Sequence, residues 1–363
     1  MGKDQKKSLK PRDAIVRMKP YNPPTSGRGG KLRLDFNENT VGSLGKALAA
    51  VRKLSAADLS MYAEYESALP EFARHFRVRP TEMTLTNGSD EAIQLLVNTY
   101  VNEGEKILML RPTYSMYRFY SQIAGAAIEE VDYGSDLSFP AHDLCRRLTR
   151  STRAVLLANP NNPTGTSASN DQLRAILEAA PRAAVLVDEA YFEFSGQSVL
   201  RWIGKYPNLF VSRTFSKAYG LAALRIGCLF SQADNITAIR KGQSPYSVNM
   251  AGVAAALAAL KDQDALQRSV AEVMESREIL CKALDGMKWN YFTSDTNFVL
   301  VEFGTDAATV CELLSVRNVL VRDRSYEITG CVRITVGSIS QTNRLIRELK
   351  KVTREVRVGA GNR

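Results

Sequence analysis

Seven short apolar runs, at residues 83–86, 106–110, 127–131, 154–158, 184–187, 209–212 and 226–230, constrain this chain more than any other feature. Stretches with helical spacing separate them. Most of the runs lack the in/out alternation of a strand with one wet face. Strands that are apolar on both sides must be covered on both sides, and the intervening helices supply that cover. The fold class expected is therefore α/β, with a three-layer α/β/α large domain around a mainly parallel seven-stranded sheet. At 363 residues the chain is long for one core, so a smaller α+β domain is expected beside the large one. It is placed at residues 246–355. Its Ala-rich helices are expected over 251–260 and 265–284, its strands at 297–302, 319–321 and 332–336, and its last helix near 342–352. Residues 31–245 form mainly the large domain, with helices near 43–54 and 68–76 and with 31–60 as an arm packing toward the small domain. Residues 1–30, rich in Lys, Pro and Gly, read as a flexible basic arm, and 356–363 as a tail.

The formal net charge of +10 raises the question of a polyanionic partner. Its distribution argues against one. Residues 1–33 carry +8 and residues 342–363 carry +5, which leaves the body at −3. Basic ends on a near-neutral body are ordinarily solvated tails, so nucleic acid is not the expected partner. No apolar run approaches the ~20 residues of a membrane span, and the start Met-Gly-Lys-Asp-Gln-Lys-Lys is too polar for a secretory signal. Five scattered cysteines without a C-x-x-C pair point to a reducing cytoplasm rather than a disulfide framework or a metal site.

In an open parallel sheet, ligands gather at the carboxyl ends of the strands. After the first run comes Thr86-Asn87-Gly88-Ser89-Asp90-Glu91, where Gly88 and Ser89 would start a helix whose free N–H groups suit an anion. The same residues also serve as a plain helix cap. After the fourth run, Asn159-Pro160-Asn161-Asn162-Pro163-Thr164-Gly165 forms a proline-fixed turn that could aim the Asn162 amide. After the fifth, Asp188 ends a buried strand, where a carboxylate is costly unless it meets a cation. After the sixth comes Thr214-Phe215-Ser216-Lys217, with Arg225 eight residues beyond the lysine. A lysine held among strand ends can act as an amine nucleophile, and hydroxyls with a guanidinium suit a phosphate. Taken alone, that loop also fits an ordinary solvated lysine. Amine and phosphate site together point to pyridoxal phosphate, whose protonated pyridine nitrogen would be the cation for Asp188. No dinucleotide or ATP-type glycine loop is present.

The set Asn162-Pro163-Thr164-Gly165, Asp188-Glu189-Ala190-Tyr191 and Thr214-Phe215-Ser216-Lys217 with Arg225 resembles the fold-type-I, pyridoxal-phosphate-dependent aminotransferases of classes I and II. The resemblance covers residues 32–352, and within the family it is nearest to the histidinol-phosphate aminotransferases. It implies that Lys217 binds the cofactor covalently and shuttles the proton, and that Asp188 pairs with the ring nitrogen. Asn162 and Tyr191 would hydrogen-bond the ring oxygen, and Tyr114 would stack on the ring. Ser89, Asp90, Thr214, Ser216 and Arg225 would hold the cofactor phosphate, with Tyr62 reaching across from the other subunit of a homodimer. Arg333 would clamp a substrate carboxylate and Arg322 a substrate phosphate, with Asn39 also at the substrate. No metal is implied.

The activity implied is transamination between histidinol phosphate and 2-oxoglutarate in the cytoplasm. An aromatic or broad-specificity aminotransferase and a threonine-phosphate decarboxylase share these motifs. The chain departs from the family at Thr40 and Ala63, where prolines are usual, and at Ala223, where glycine is common. The first two positions lie at the substrate entrance and so bear on substrate choice.

Overall fold

The computed structural model describes residues 9–20, 26–40, 42 and 44–361, the last three of these by backbone alone. Its strands, in chain order, are β1 (Leu32–Arg33), β2 (Met83–Thr86), β3 (Lys106–Arg111), β4 (Ala127–Asp132), β5 (Thr152–Ala158) and β6 (Ala184–Asp188). They continue with β7 (Leu209–Thr214), β8 (Gly227–Phe230), β9 (Asn290–Phe292), β10 (Phe298–Glu302), β11 (Val319–Leu320), β12 (Arg322–Asp323) and β13 (Cys331–Thr335). Strands β2 to β8 form one seven-stranded sheet in the order β2-β8-β7-β6-β5-β3-β4. All pairings from β4 to β7 are parallel, and β8 alone runs against its neighbours β7 and β2.

Successive residues of each central strand enter different cores. Leu108, Leu110, Val155, Leu157, Val185 and Val187 join the cluster on one face of the sheet. Ile107, Met109, Leu156, Leu186 and Phe210 join Leu96 and Tyr117 on the other. Both faces are dry, so neither register position demands a polar residue. That is why the runs read as continuous rather than alternating.

The second sheet is antiparallel, in the order β12-β13-β10-β9. It packs with helices Gln263–Gly286, Ala307–Val316 and Ile339–Gly361. The arm enters this unit through β1, which pairs parallel with β11. Leu34 then donates to the Leu320 carbonyl at 2.8 Å and accepts from the Thr335 amide at 2.9 Å. The expected single strand at 319–321 is instead two: β11 belongs to the arm pair and β12 to the antiparallel sheet. Two-residue strands have no period to read, which also hid β1.

Part of the expected flexible arm has structure. Asp13–Val16 forms a helical turn, and Arg12 Nη2 donates to the Ile123 carbonyl at 2.7 Å. Residues 1–8 and 21–25, and the start of the helix expected from residue 43, lie outside the described residues. That helix is Gly45–Arg52. Among the described residues, no helix is long and apolar enough to cross a membrane.

Candidate active site

Chain order in the large sheet reverses between β5 and β3, because β3 is followed outward by β4 and the chain then crosses back to β5. Such a reversal splays the loops at the carboxyl ends apart and leaves a crevice. A cavity of about 310 Å³ lies there. Ser89, Asp90, Tyr114, Asn162, Asp188, Tyr191, Thr214, Ser216, Lys217, Arg225, Arg322 and Arg333 all line it. Two residues expected at the site do not. Tyr62 is exposed and stacks on Tyr246, with ring centroids 4.3 Å apart. Asn39 donates to the Ala218 carbonyl at 3.0 Å and lines a separate small pocket that Lys217 also lines.

Asp188 ends β6 and is buried. Its Oδ1 accepts from Ser212 Oγ at 2.8 Å and its Oδ2 from the Tyr117 hydroxyl at 3.1 Å. Both partners are neutral, and burial pushes the carboxyl up to about 6. A carboxylate held this way, with no cation paired to it among the described residues, is a site for one. The residue after it has a different task. Glu189 pairs with Arg213 Nε at 2.7 Å and accepts from Ser198 and the Val199 amide, a buried brace between the ends of β6 and β7.

Lys217 follows β7, and its Nζ donates to the Phe36 carbonyl at 3.3 Å. Burial, with a further push from the Arg333 charge, pulls the amine down to about 8. A neutral amine is therefore accessible just above physiological pH.

The anion cradle is built by close approach of backbone to guanidinium. Gly88 has φ +74°, which favours glycine, and a Cβ there would lie 2.4 Å from Arg225 Nη2 and so push the guanidinium out of its place. Gly88 opens helix Gly88–Tyr100, and the next two residues of its first turn, Ser89 and Asp90, line the cavity. Ser89 Oγ is buried without a partner, an unusual state for a hydroxyl and a sign of a missing acceptor. Thr214 Oγ1 accepts from the Ser216 amide at 3.2 Å. The Asp90 carboxylate cannot itself accept an anion. It receives Arg225 Nη2 at 3.0 Å and the Tyr114 hydroxyl at 2.9 Å, and so fixes the positions of both.

The arm closes the opposite end. Arg28 binds Asp35 at 2.7 Å and Glu38 at 3.0 Å and lies over the Phe36 ring, which sets Phe36, Asn37 and Glu38 into the cavity wall. Asn37 Nδ2 donates to the Tyr191 hydroxyl at 2.8 Å, leaving the tyrosine proton free to be donated elsewhere. Arg333 Nη1 donates to Asn162 Oδ1 and its Nη2 to the Asp35 carbonyl at 2.7 Å. Burial, then the neighbouring charges of Arg324 and Arg322, bring its pKa down to about 10.

Asn37, Tyr117, Ser212 and Arg324 are the residues that the sequence did not single out. Tyr117 and Ser212 sit on buried positions of ordinary elements. Only their distance from Asp188 in space, which the sequence does not carry, marks them. Asn37 had a signal: it is two residues from Asn39 in Asn37-Glu38-Asn39, and an asparagine tolerates the φ of +54° found there.

Residues 30–349 match the family model for aminotransferase class I and II. The histidinol-phosphate aminotransferase of Symbiobacterium thermophilum is 34% identical over 360 residues, covering 93% of this chain and 97% of the relative. That of Caldicellulosiruptor saccharolyticus is 32% identical over 361 residues, covering 94% and 99%. Among solved structures, histidinol-phosphate aminotransferase from Sinorhizobium meliloti in complex with pyridoxal-5'-phosphate has a TM-score of 0.88 at 26% identity, covering 96% of this chain and 99% of that one. With its cavity at the reversal of the sheet and a family match over nearly its whole length, this chain belongs to the class I and II aminotransferases.

Proposed function

We propose that the chain is a pyridoxal-phosphate-dependent aminotransferase of the cytoplasm that acts on histidinol phosphate, with 2-oxoglutarate as amino acceptor. The observation that carries the substrate is the gathering of Arg322, Arg324 and Arg333 in one cavity with Lys217. One guanidinium serves a monocarboxylate. Three suit a site that must take a phosphate monoester in one half-reaction and a dicarboxylate in the other. The names of the relatives point the same way. We read residues 31–245 as mainly the cofactor-binding domain and 246–355 as the smaller one.

The cavity fits the cofactor. The cradle of Gly88, Ser89, Thr214, Ser216 and Arg225 would hold its phosphate, and the unpartnered Ser89 hydroxyl is one group this would satisfy. Asp188 would face its ring nitrogen, while Tyr191 and the Asn162 amide would donate to its ring oxygen. When bound, the group supplies an electron sink for the bond broken at the substrate's α-carbon. Lys217 supplies the amine and moves the proton at that carbon. The depressed pKa leaves it partly neutral near pH 8 and so able to accept a proton. Tyr114, tied to Asp90, walls the cavity at the ring. The exposed Tyr62, stacked on Tyr246, is assigned to the site of a partner subunit in a homodimer.

Among the described residues Arg322 makes neither a salt bridge nor a side-chain hydrogen bond, whereas Arg324 is paired with Glu327 and Arg333 is bonded to Asn162 and the Asp35 carbonyl. A charge-assisted pair from Arg322 to a phosphate dianion is worth about 2–4 kcal/mol when partly desolvated. Arg322→Met is therefore expected to lower kcat/KM for histidinol phosphate by roughly 30- to 1000-fold. Phenylalanine, whose carboxylate would rest on Arg333, is expected to change little. Steady-state assays with both substrates decide it. Equal losses would make Arg322 structural, and a wild type that prefers phenylalanine would favour the aromatic aminotransferase reading.

A further inference from the structure

Arg324 is a second guanidinium at the substrate end, counted above with Arg322 and Arg333 but given no contact of its own with the substrate. It follows β12, is 7% exposed, and lines the cavity. Its Nη2 is bonded to Glu327, and its Nε is buried without a partner. Glu327 sits three residues on, in a turn whose amide donates to the Arg324 carbonyl at 2.8 Å.

The charge balance at this end is lopsided. Among the described residues, Glu327 is the one carboxylate in salt-bridge contact with any of the three arginines. Arg333 meets a side-chain amide and a main-chain carbonyl, and its Nε is also unpartnered. Two buried guanidiniums and a half-buried third thus share a single negative group. Buried cations of like sign need anions supplied to them. An anion arriving beside Arg322 would find Arg324 already occupied by an internal carboxylate.

Resting on the reading above that the substrate carries a phosphate monoester, we propose that Glu327 stands in for that phosphate. It holds Arg324 while the distal end of the cavity has no anion, and an incoming phosphate takes Arg324 from it. Arg322 and Arg324 then grip the phosphate together, each able to offer a planar fork. The exchange sets specificity as well as affinity. A substrate with an uncharged distal group leaves the internal pair closed and gains nothing from Arg324, whereas a dianion competes well against a single carboxylate.

This arrangement fixes the signs of two substitutions. Removing the competitor should strengthen anion binding, and removing the cation should weaken it. A brace that merely positions Arg324 would give losses in both cases. The probe is glycerol 3-phosphate, a phosphate monoester without an amine, titrated calorimetrically into the holoenzyme so that the cofactor's own phosphate keeps the Ser89–Arg225 cradle filled. Glu327→Gln is expected to tighten binding by about 5- to 20-fold, and Arg324→Met to weaken it by about tenfold or more. The double variant is expected to match Arg324→Met within about threefold, since nothing remains for Glu327 to mask. Weaker or unchanged binding in Glu327→Gln overturns the proposal, and so does unchanged binding in Arg324→Met. If Arg324→Met does not fold, the sign of the Glu327→Gln change decides alone. If wild-type holoenzyme does not turn over histidinol phosphate, the functional reading fails, while the two affinity signs still decide this one.

Discussion

Lys217→Ala is expected to abolish retention of the cofactor after borohydride reduction and to lower turnover by about 10⁴-fold or more, the loss of both a nucleophile and a proton carrier. In barrier terms that is roughly 5.5 kcal/mol. The expectation rests on position. Among the described residues Lys217 is the one lysine lining the cavity, and burial there depresses its pKa to about 8. Its hydrogen bond among the described residues is to a main-chain carbonyl and it makes no salt bridge there, so the fold should survive its removal. Peptide mapping of the reduced wild type should find the label on the peptide holding Ser216-Lys217-Ala218. Label on another lysine, or turnover within tenfold of wild type in the variant, would remove Lys217 from the mechanism.

Asp188→Asn is expected to lower turnover by roughly 10²- to 10⁴-fold with little loss of folded protein. The side chains are nearly isosteric, and the asparagine oxygen can still accept from Ser212 or from Tyr117. What is lost is the negative charge. The side chain's hydrogen-bond partners, Ser212 and Tyr117, are neutral donors and cannot take over the role of a charge facing a ring cation. Turnover within about tenfold, a change of only ~1.4 kcal/mol in the barrier, would mean that Asp188 is a structural carboxylate. Circular dichroism and thermal melting of the variant separate that outcome from simple unfolding.

The large sheet was legible because two-sided burial leaves an unusual trace: strands without alternation, separated by helices. Most of the cavity was legible for a related reason. Its side chains sit at or just past the carboxyl ends of those strands, as at Asp188, the last residue of β6, and Thr214, the last of β7. What could not be read is what the chain brings together from afar. Tyr117 and Asp188 are 71 residues apart, and Asn37 and Tyr191 are 154 apart. In each pair one partner belongs to a segment whose own pattern is complete without the contact. Asn39 was expected at the substrate, but Asn37 lines the cavity instead. In an extended strand residues two apart share a face, yet the left-handed backbone at Asn37 breaks that alternation and turns Asn39 toward Ala218. Arg324 was passed over beside Arg322 because only Arg322 falls at the family's phosphate-binding position, and two arginines in a short segment also read as a solvated basic loop. Arg324 lies just beyond the two residues of β12 and lines the same cavity.

The most direct measurement is a single half-reaction with purified wild-type holoenzyme and no amino acceptor. Addition of histidinol phosphate is expected to convert the visible absorbance of the bound cofactor to that of its amine form, one equivalent per site. The rate should exceed that with phenylalanine at the same concentration by roughly tenfold or more, a preference of at least ~1.4 kcal/mol. Faster conversion by phenylalanine, or no conversion by histidinol phosphate, would contradict the account.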